Sequence, residues 1–215
     1  AFIAEPVMGA GGVIPPPESY FTKIQPLLRE YDILFIADEV ICGFGRTGNM
    51  FGSETYDLKP DIITVAKGLS SGYLPISALM LREEVFDILL YQSKKIGIFG
   101  HGFTYGGHPV SCAVALEALK IYEETNLINH VQKMSPIFEA ELRKLETNPL
   151  VGEVRQIGLL GAIEIVKNKI TKEPFNTNDK IGSLLVDLMQ KNGLISRAMG
   201  DSIAFAPPLI INEKQ

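Results

Sequence analysis

Asp38 closes one apolar run of this 215-residue chain and Lys67 closes the next, 29 positions later. In a parallel sheet both strand ends would lie on the edge where open α/β folds bind ligands, so an acid and an amine would face one crevice. Each residue alone has a plainer reading, since a strand-end Asp caps turns and a Lys reaches solvent. Two literal motifs compete with this pair. Gly43-Phe44-Gly45-Arg46-Thr47-Gly48 has G-x-G-x-x-G spacing, but a dinucleotide site needs a helix that begins inside the glycines and points its N-terminus at the pyrophosphate. No helical stripe follows before Pro60, and the ribose-binding acid expected about 20 residues on is missing, because the run 62–66 ends in Lys67. The segment reads as a Gly-rich loop. Gly68-Leu69-Ser70-Ser71-Gly72 has G-x-S-x-G spacing, which would make Ser70 an esterase nucleophile on a strand-to-helix elbow. An extended, Pro-broken stretch follows at 73–78, so nothing would hold Ser70 on a strained turn, and none of His101, His108 and His130 is singled out as its base.

The elements that must position these residues fall into two parts. In the first 107 residues, strand and helix signals alternate: extended at 2–7, helical at 19–31, then short β-rich runs at 33–38 and 62–66. Such alternation predicts an α/β layer with a mostly parallel sheet. Pro26 inside the first helix should cost about 3 kcal/mol against Ala unless the helix kinks. Long loops rich in Gly and Pro, at 8–17 and 43–60, are places where function gathers. Beyond Gly107 the pattern predicts a helix opening on Pro109, apolar nearly all round over 110–116 and therefore buried there. A second helix over 131–145 carries Val131, Met134, Phe138, Leu142 and Leu145 on one stripe. A strand at 156–166 comes next, then a helix with Ile181, Leu184, Leu185, Leu188 and Met189 at helical spacing. Extended runs at 195–199 and 202–206 flank the turn Gly200-Asp201. This second part is a smaller α+β unit. The expected boundary lies within the long helix near Thr125, dividing 1–125 from 126–215, with no internal repeat.

Composition bounds the function. At about 150 residues per domain the chain holds one to two domains, and 46% hydrophobic content matches ordinary globular usage. Twenty Lys and Arg against 25 Asp and Glu leave a net charge of -5, so no basic surplus exists to neutralise nucleic-acid phosphates. No stretch reaches the roughly 18 apolar residues of a membrane helix. Cys42 and Cys112 form neither a metal spacing nor a disulfide framework, which fits a reducing compartment, and a cytoplasmic location is expected. The chain opens on Ala1 straight into a strand-like run, as a piece of something longer would.

Three segments taken in order carry a resemblance: 36–48 (Ile-Ala-Asp-Glu-Val-Ile-Cys-Gly-Phe-Gly-Arg-Thr-Gly), 66–70 (Ala-Lys-Gly-Leu-Ser) and 101–109 (His-Gly-Phe-Thr-Tyr-Gly-Gly-His-Pro). Together they resemble the class III aminotransferases, pyridoxal-phosphate enzymes of fold type I, and most closely the branch that moves ω-amino groups to pyruvate. The likeness runs from Phe2 to about Ile211, on a chain roughly half the family's length. It implies the large cofactor-binding domain of that fold, followed by a small domain, and a homodimer whose site is shared between subunits.

The resemblance assigns Lys67 as the lysine that holds pyridoxal 5'-phosphate as a Schiff base and later shuttles a proton. Neighbours such as Ile63, Val65 and Leu69 would desolvate its amine, and the small residues Gly68, Ser70, Ser71 and Gly72 would leave room for a flat ring. Asp38 would keep the pyridine nitrogen protonated, so that the ring can act as an electron sink. Val40, on the same side of the strand by parity, would pack against the ring, and Glu39 would point the other way without an assigned role. Thr104 would reach the cofactor phosphate of the partner subunit. Arg197 would grip a substrate carboxylate. Ala10 stands where the ornithine and γ-aminobutyrate branches of the family place a glutamate that neutralises this arginine, so Arg197 would be free to turn toward acids and away from plain amines. The implied activity is ping-pong transamination from an ω-amino acid or amine to pyruvate or a similar keto acid. Other readings stay open at this point: racemase or aminomutase chemistry on the same residues, the Ser70 hydrolase, or a noncatalytic truncated scaffold.

Overall fold

The computed structural model describes all 215 residues. β1 (Phe2–Ala4), β2 (Phe35–Asp38) and β3 (Ile62–Val65) pair in parallel in that order, and β4 (Ala78–Leu81) closes the sheet antiparallel to β3. Between β1 and β2 runs α1 (Tyr20–Glu30), whose Phe21 and Leu28 pack on Phe35 and Leu58. Pro26 sits within α1 without ending it. The carbonyl it orphans belongs to Thr22, an exposed residue, so water can replace the lost bond.

A four-residue helix, α2 (Gly52–Thr55), follows the Gly-rich loop, and α3 (Glu83–Ile96) follows β4. Neither β4 nor α3 is among the elements expected from the sequence. None of the residues of α3 is buried in this chain.

α4 (Pro109–Glu124) opens on proline as expected, but Val110 and Leu116 are 55% and 69% exposed. The expectation of burial all round fails because α4 turns one face inward, with Ser111, Ala115 and Ala118 buried and Leu119 and Tyr122 packed beside the Lys67 segment. The helix also stops at Glu124, Asn126 takes a left-handed conformation, and α5 (Leu127–Lys144) begins directly after it. Chain direction therefore changes near Thr125 between two helices rather than inside one.

The second sheet is antiparallel throughout, in the order β5 (Val151–Ile157), β6 (Leu160–Ile165), β8 (Ser202–Phe205) and β7 (Arg197–Met199). In place of the single strand expected at 156–166 there is a hairpin, because Gly158 takes φ 57° and reverses the chain in two residues. α6 (Ile181–Lys191) packs on this sheet through Ile181, Leu185, Val186 and Met189, whereas Leu184 and Leu188 of the expected stripe are exposed. α5 delivers Leu142 to the same core and Val131 and Met134 to a second one around Leu159, while Leu145, the last residue of its expected stripe, is 38% exposed. No helix is long and apolar enough to cross a membrane.

The two sheets meet through polar bolts as well as packing. Arg155 on β5 donates to the carbonyls of Gly12 (2.7 Å) and Val13 (3.1 Å), to Glu164 (2.7 Å) and to Ser202 Oγ (2.8 Å). Beside it, Val7, Val13 and Cys42 of the first unit share a buried cluster with Leu160 and Ala162 of the second, and Met199 and Ala204 pack against it.

Candidate functional site

β2 and β3 run parallel with Asp38 in register with Thr64, so the C-terminal edge of the sheet carries Asp38 and, three residues past Thr64, Lys67. The Asp38 carboxylate is half-buried and fixed from two sides: Val40 N–H donates to Oδ1 at 3.0 Å and Thr64 Oγ1 at 3.3 Å. Val40 therefore follows a different logic from strand parity. β2 has ended, and the chain folds back so that the Val40 amide orients the acid, while its side chain belongs to none of the buried apolar clusters.

Lys67 opens a 3₁₀ turn, Lys67–Ser70, with φ 44°, a left-handed conformation uncommon for a residue with a side chain. Its side chain is exposed, with no ion pair in the chain. The expected desolvation by Ile63, Val65 and Leu69 is not found: Lys67 is exposed, while those side chains join a cluster with Phe44 and Ala115. Gly68 is small for a packing reason, since a Cβ there would come within 2.9 Å of the Phe44 side chain. Ser70 is buried, and its Oγ donates to Leu74 O at 2.6 Å. A hydroxyl so placed is neither accessible nor bonded to His101, His108 or His130, and His130 is engaged at 2.8 Å with Ile211 O. The hydrolase reading has no geometry to support it.

Arg197 is exposed on β7 and, like Lys67, makes no ion pair. On the same strand Met199 packs against the cluster of Val7 and Val13, whereas Ala198 packs on the opposite side with α6. By strand alternation Arg197 shares the Met199 face and so looks toward the first unit, where the loop bearing Ala10 lies. Thr104 lies in the exposed segment between α3 and α4, with no hydrogen bond to Asp38 or Lys67. The chain thus gathers Asp38, Val40 and Lys67 at one sheet edge and leaves Thr104 outside that group.

Sequence reasoning passed over three residues that hold this edge in place. Glu39 is fully buried and accepts from Gly52 N (2.9 Å), Ser53 N (2.6 Å) and Ser53 Oγ (2.6 Å), so it caps α2 and pins the chain just after Asp38. Burial pushes its carboxyl pKa up, and the Ser53 and Gly52 bonds oppose that rise without cancelling it. Arg46 donates through one nitrogen to Leu159 O (2.9 Å) and Pro207 O (2.7 Å), fastening the Gly-rich loop to the second unit, and burial lowers its pKa. Tyr122 of α4 donates to Gly68 O at 2.6 Å. A signal for Glu39 was present, as a charge facing away from the crevice must find buried partners; for Arg46 and Tyr122 the partners are distant in sequence and nothing local marks them.

The model of the family described as "Aminotransferase class-III" matches residues 1–215. A probable γ-aminobutyrate transaminase 3, mitochondrial, of Oryza sativa subsp. indica is 55% identical over 211 residues, 98% of this chain and 41% of the relative. A γ-aminobutyrate transaminase 3, chloroplastic, of Solanum lycopersicum is 55% identical over 212 residues, 99% of this chain and 41% of the relative. The crystal structure of the ω-transaminase from Pseudomonas jessenii in complex with PMP superposes with a TM-score of 0.97 at 51% identity, over 100% of this chain and 47% of that one. The chain spans about two-fifths of the length of the plant relatives. Their names overturn the cytoplasmic location expected from cysteine usage, since one is mitochondrial and the other chloroplastic. Three ordered motifs, a parallel sheet presenting an acid and an unpaired lysine on one edge, and a match along the whole chain agree: the chain belongs to the class III aminotransferases, with the α/β architecture of the fold type I large domain.

Proposed function

We propose that this chain supplies the lysine, the ring-nitrogen acid and the substrate arginine of a transaminase that moves an amino group from an ω-amino acid or amine to pyruvate or a similar keto acid. The observation that carries the reading is the pairing of Asp38, oriented by Val40 and Thr64, with an ion-pair-free Lys67 on the same edge of a parallel sheet. The donor set fits pyridoxal phosphate: an anchored carboxylate for a ring nitrogen and an open amine for an aldehyde. When bound, that group supplies an aldehyde for amines and a ring that accepts electrons.

Asp38 would hold a proton at the ring nitrogen through a charge-assisted bond worth about 1.5–3 kcal/mol. Lys67 would hold the group through its aldehyde carbon, and its side-chain amine, when free, would be the base placed to carry the substrate's proton. Its exposure in this chain means that water must be excluded by other parts of the whole enzyme. Val40, whose amide orients Asp38, would meet the ring face. Arg197 orients a substrate carboxylate, and with Ala10 in place of an acid it has no standing counter-ion to displace. The donor's amino group is exchanged for the acceptor's carbonyl oxygen over two half-reactions, so nitrogen and electrons balance.

The apolar exposure of Val110 and Leu116 and of the 97–107 segment fits a homodimer in which Thr104 serves the partner's site. Domains 1–125 and 126–215 would then be the cofactor-binding part and the small part. The γ-aminobutyrate names of the plant relatives suggest an ω-amino carboxylate as donor. The test is borohydride reduction of the full-length parent with pyridoxal phosphate, followed by peptide mass mapping. The adduct is expected on Lys67, and donor alone should convert the cofactor to pyridoxamine phosphate. An adduct elsewhere, or no pyridoxamine phosphate, would overturn the reading.

A further inference from the structure

We propose that Tyr122 is a positioning residue, which together with Phe44 clamps Gly68 and so sets where Lys67 stands relative to Asp38. The inference rests on the proposed role of Lys67 but is argued from geometry alone. Gly68 is the residue after Lys67, and it is held on two sides. Its carbonyl accepts the Tyr122 hydroxyl at 2.6 Å, in addition to Ser71 N at 3.1 Å, and its Cα faces the Phe44 side chain with no space for a Cβ. Phe44 lies six residues beyond Asp38, and its own amide donates to Met50 O at 2.6 Å. The Phe44 and Tyr122 rings are in contact, with centroids 6.4 Å apart. Asp38 and Lys67 are therefore linked by a short chain of contacts: Asp38, the loop to Phe44, Gly68, Lys67.

A turn that starts with a left-handed lysine is under strain and persists only if its surroundings over-determine it. The hydroxyl bond from α4 is the one side-chain hydrogen bond that reaches the Lys67–Gly68 step. Tyr122 also packs against two buried clusters, that of Phe44, Val65, Leu69 and Ala115 and that of Leu127, Val131, Met134 and Leu159. Leu159 sits at the β5–β6 turn, so the tyrosine lies between the second unit and the lysine.

The experiment compares the full-length parent with its Tyr122→Phe and Met134→Ala variants, the second weakening the adjoining cluster without touching Gly68. Amide hydrogen exchange is read at 67–72 relative to β6, first without pyridoxal phosphate. Tyr122→Phe is expected to speed exchange in that turn about five-fold, the effect of losing one net hydrogen bond, and Met134→Ala to leave the ratio unchanged. With the cofactor added, Tyr122→Phe should lower kcat several-fold at constant KM and shift the pH midpoint of the visible absorbance. Exchange equal to the wild type, or an equal rise in Met134→Ala, overturns the clamp. Should wild-type parent carry no adduct on Lys67, the transaminase reading falls, while the cofactor-free exchange still decides the clamp.

Discussion

Substituting Gly158 by Ala tests how tightly the second unit is seated on the loop that follows Asp38. Gly158 has φ 57°, and a Cβ there would lie 2.3 Å from Arg46 O, 2.6 Å from Thr47 C and 2.7 Å from Thr47 Cα. These are backbone atoms, so no rotamer change relieves the overlap. Moving the hairpin turn away strains the Leu159 N–H bond to Arg46 O (3.0 Å) and the Arg46 bond to Leu159 O (2.9 Å). Gly193 provides the matched comparison, since it has φ 85° and a methyl group there would meet nothing within 4 Å. For Gly193→Ala the left-handed penalty of about 1–2 kcal/mol is partly offset by the reduced freedom of the unfolded chain, about 0.4–1 kcal/mol, leaving about 1. Gly158→Ala adds overpacking of about 1–3 kcal/mol and a weakened hydrogen bond of about 0.5–1.5, for a total of about 3–5. Urea unfolding of the full-length parent reads both, with unchanged slopes licensing the comparison. Equal destabilisation by the two substitutions would refute the argument, because it would mean that conformation alone, and not contact with Arg46 and Thr47, requires glycine at the turn.

Asp38→Asn should lower kcat/KM of the parent by about 10- to 150-fold, the loss of one charge-assisted bond to the ring nitrogen, measured as initial rates with saturating cofactor. Glu39 has a folded pKa above its ordinary 4.5, so the native state favours its protonated form; its contribution is complete below 4.5 and is lost as pH rises through the folded value. The stability of the wild type relative to Glu39→Gln should therefore fall as pH is raised from 4.5, and a difference that grows with pH would contradict the burial argument. Burial pushes the Cys42 thiol up to about 12, so iodoacetamide at about pH 8 should leave Cys42 unmodified in native protein and alkylate it in urea, as followed by peptide mass analysis.

Periodicity alone carried much of this protein. Alternating strand and helix signals in the first 107 residues predict a mostly parallel sheet, and in such a sheet the runs that close on Asp38 and Lys67 end on one edge. Local chemistry also marked Pro109 as a helix start and Gly200-Asp201 as a turn, since both act within a few residues. Other features depended on the tertiary fold because they are pairings between distant segments. α3 went unread, and its lack of any buried residue in this chain came only from the fold. The hairpin at Gly158 looked like one strand, as the turn is set by contact with Arg46 and Thr47 more than 100 positions earlier. Arg46 and Tyr122 became visible as supports only when Leu159 and Gly68 were placed beside them, and Glu39, marked by its strand parity, gained its partner Ser53 the same way. A sequence states which residue types recur at what spacing; which buried donor meets which buried carbonyl is decided by packing across the whole chain.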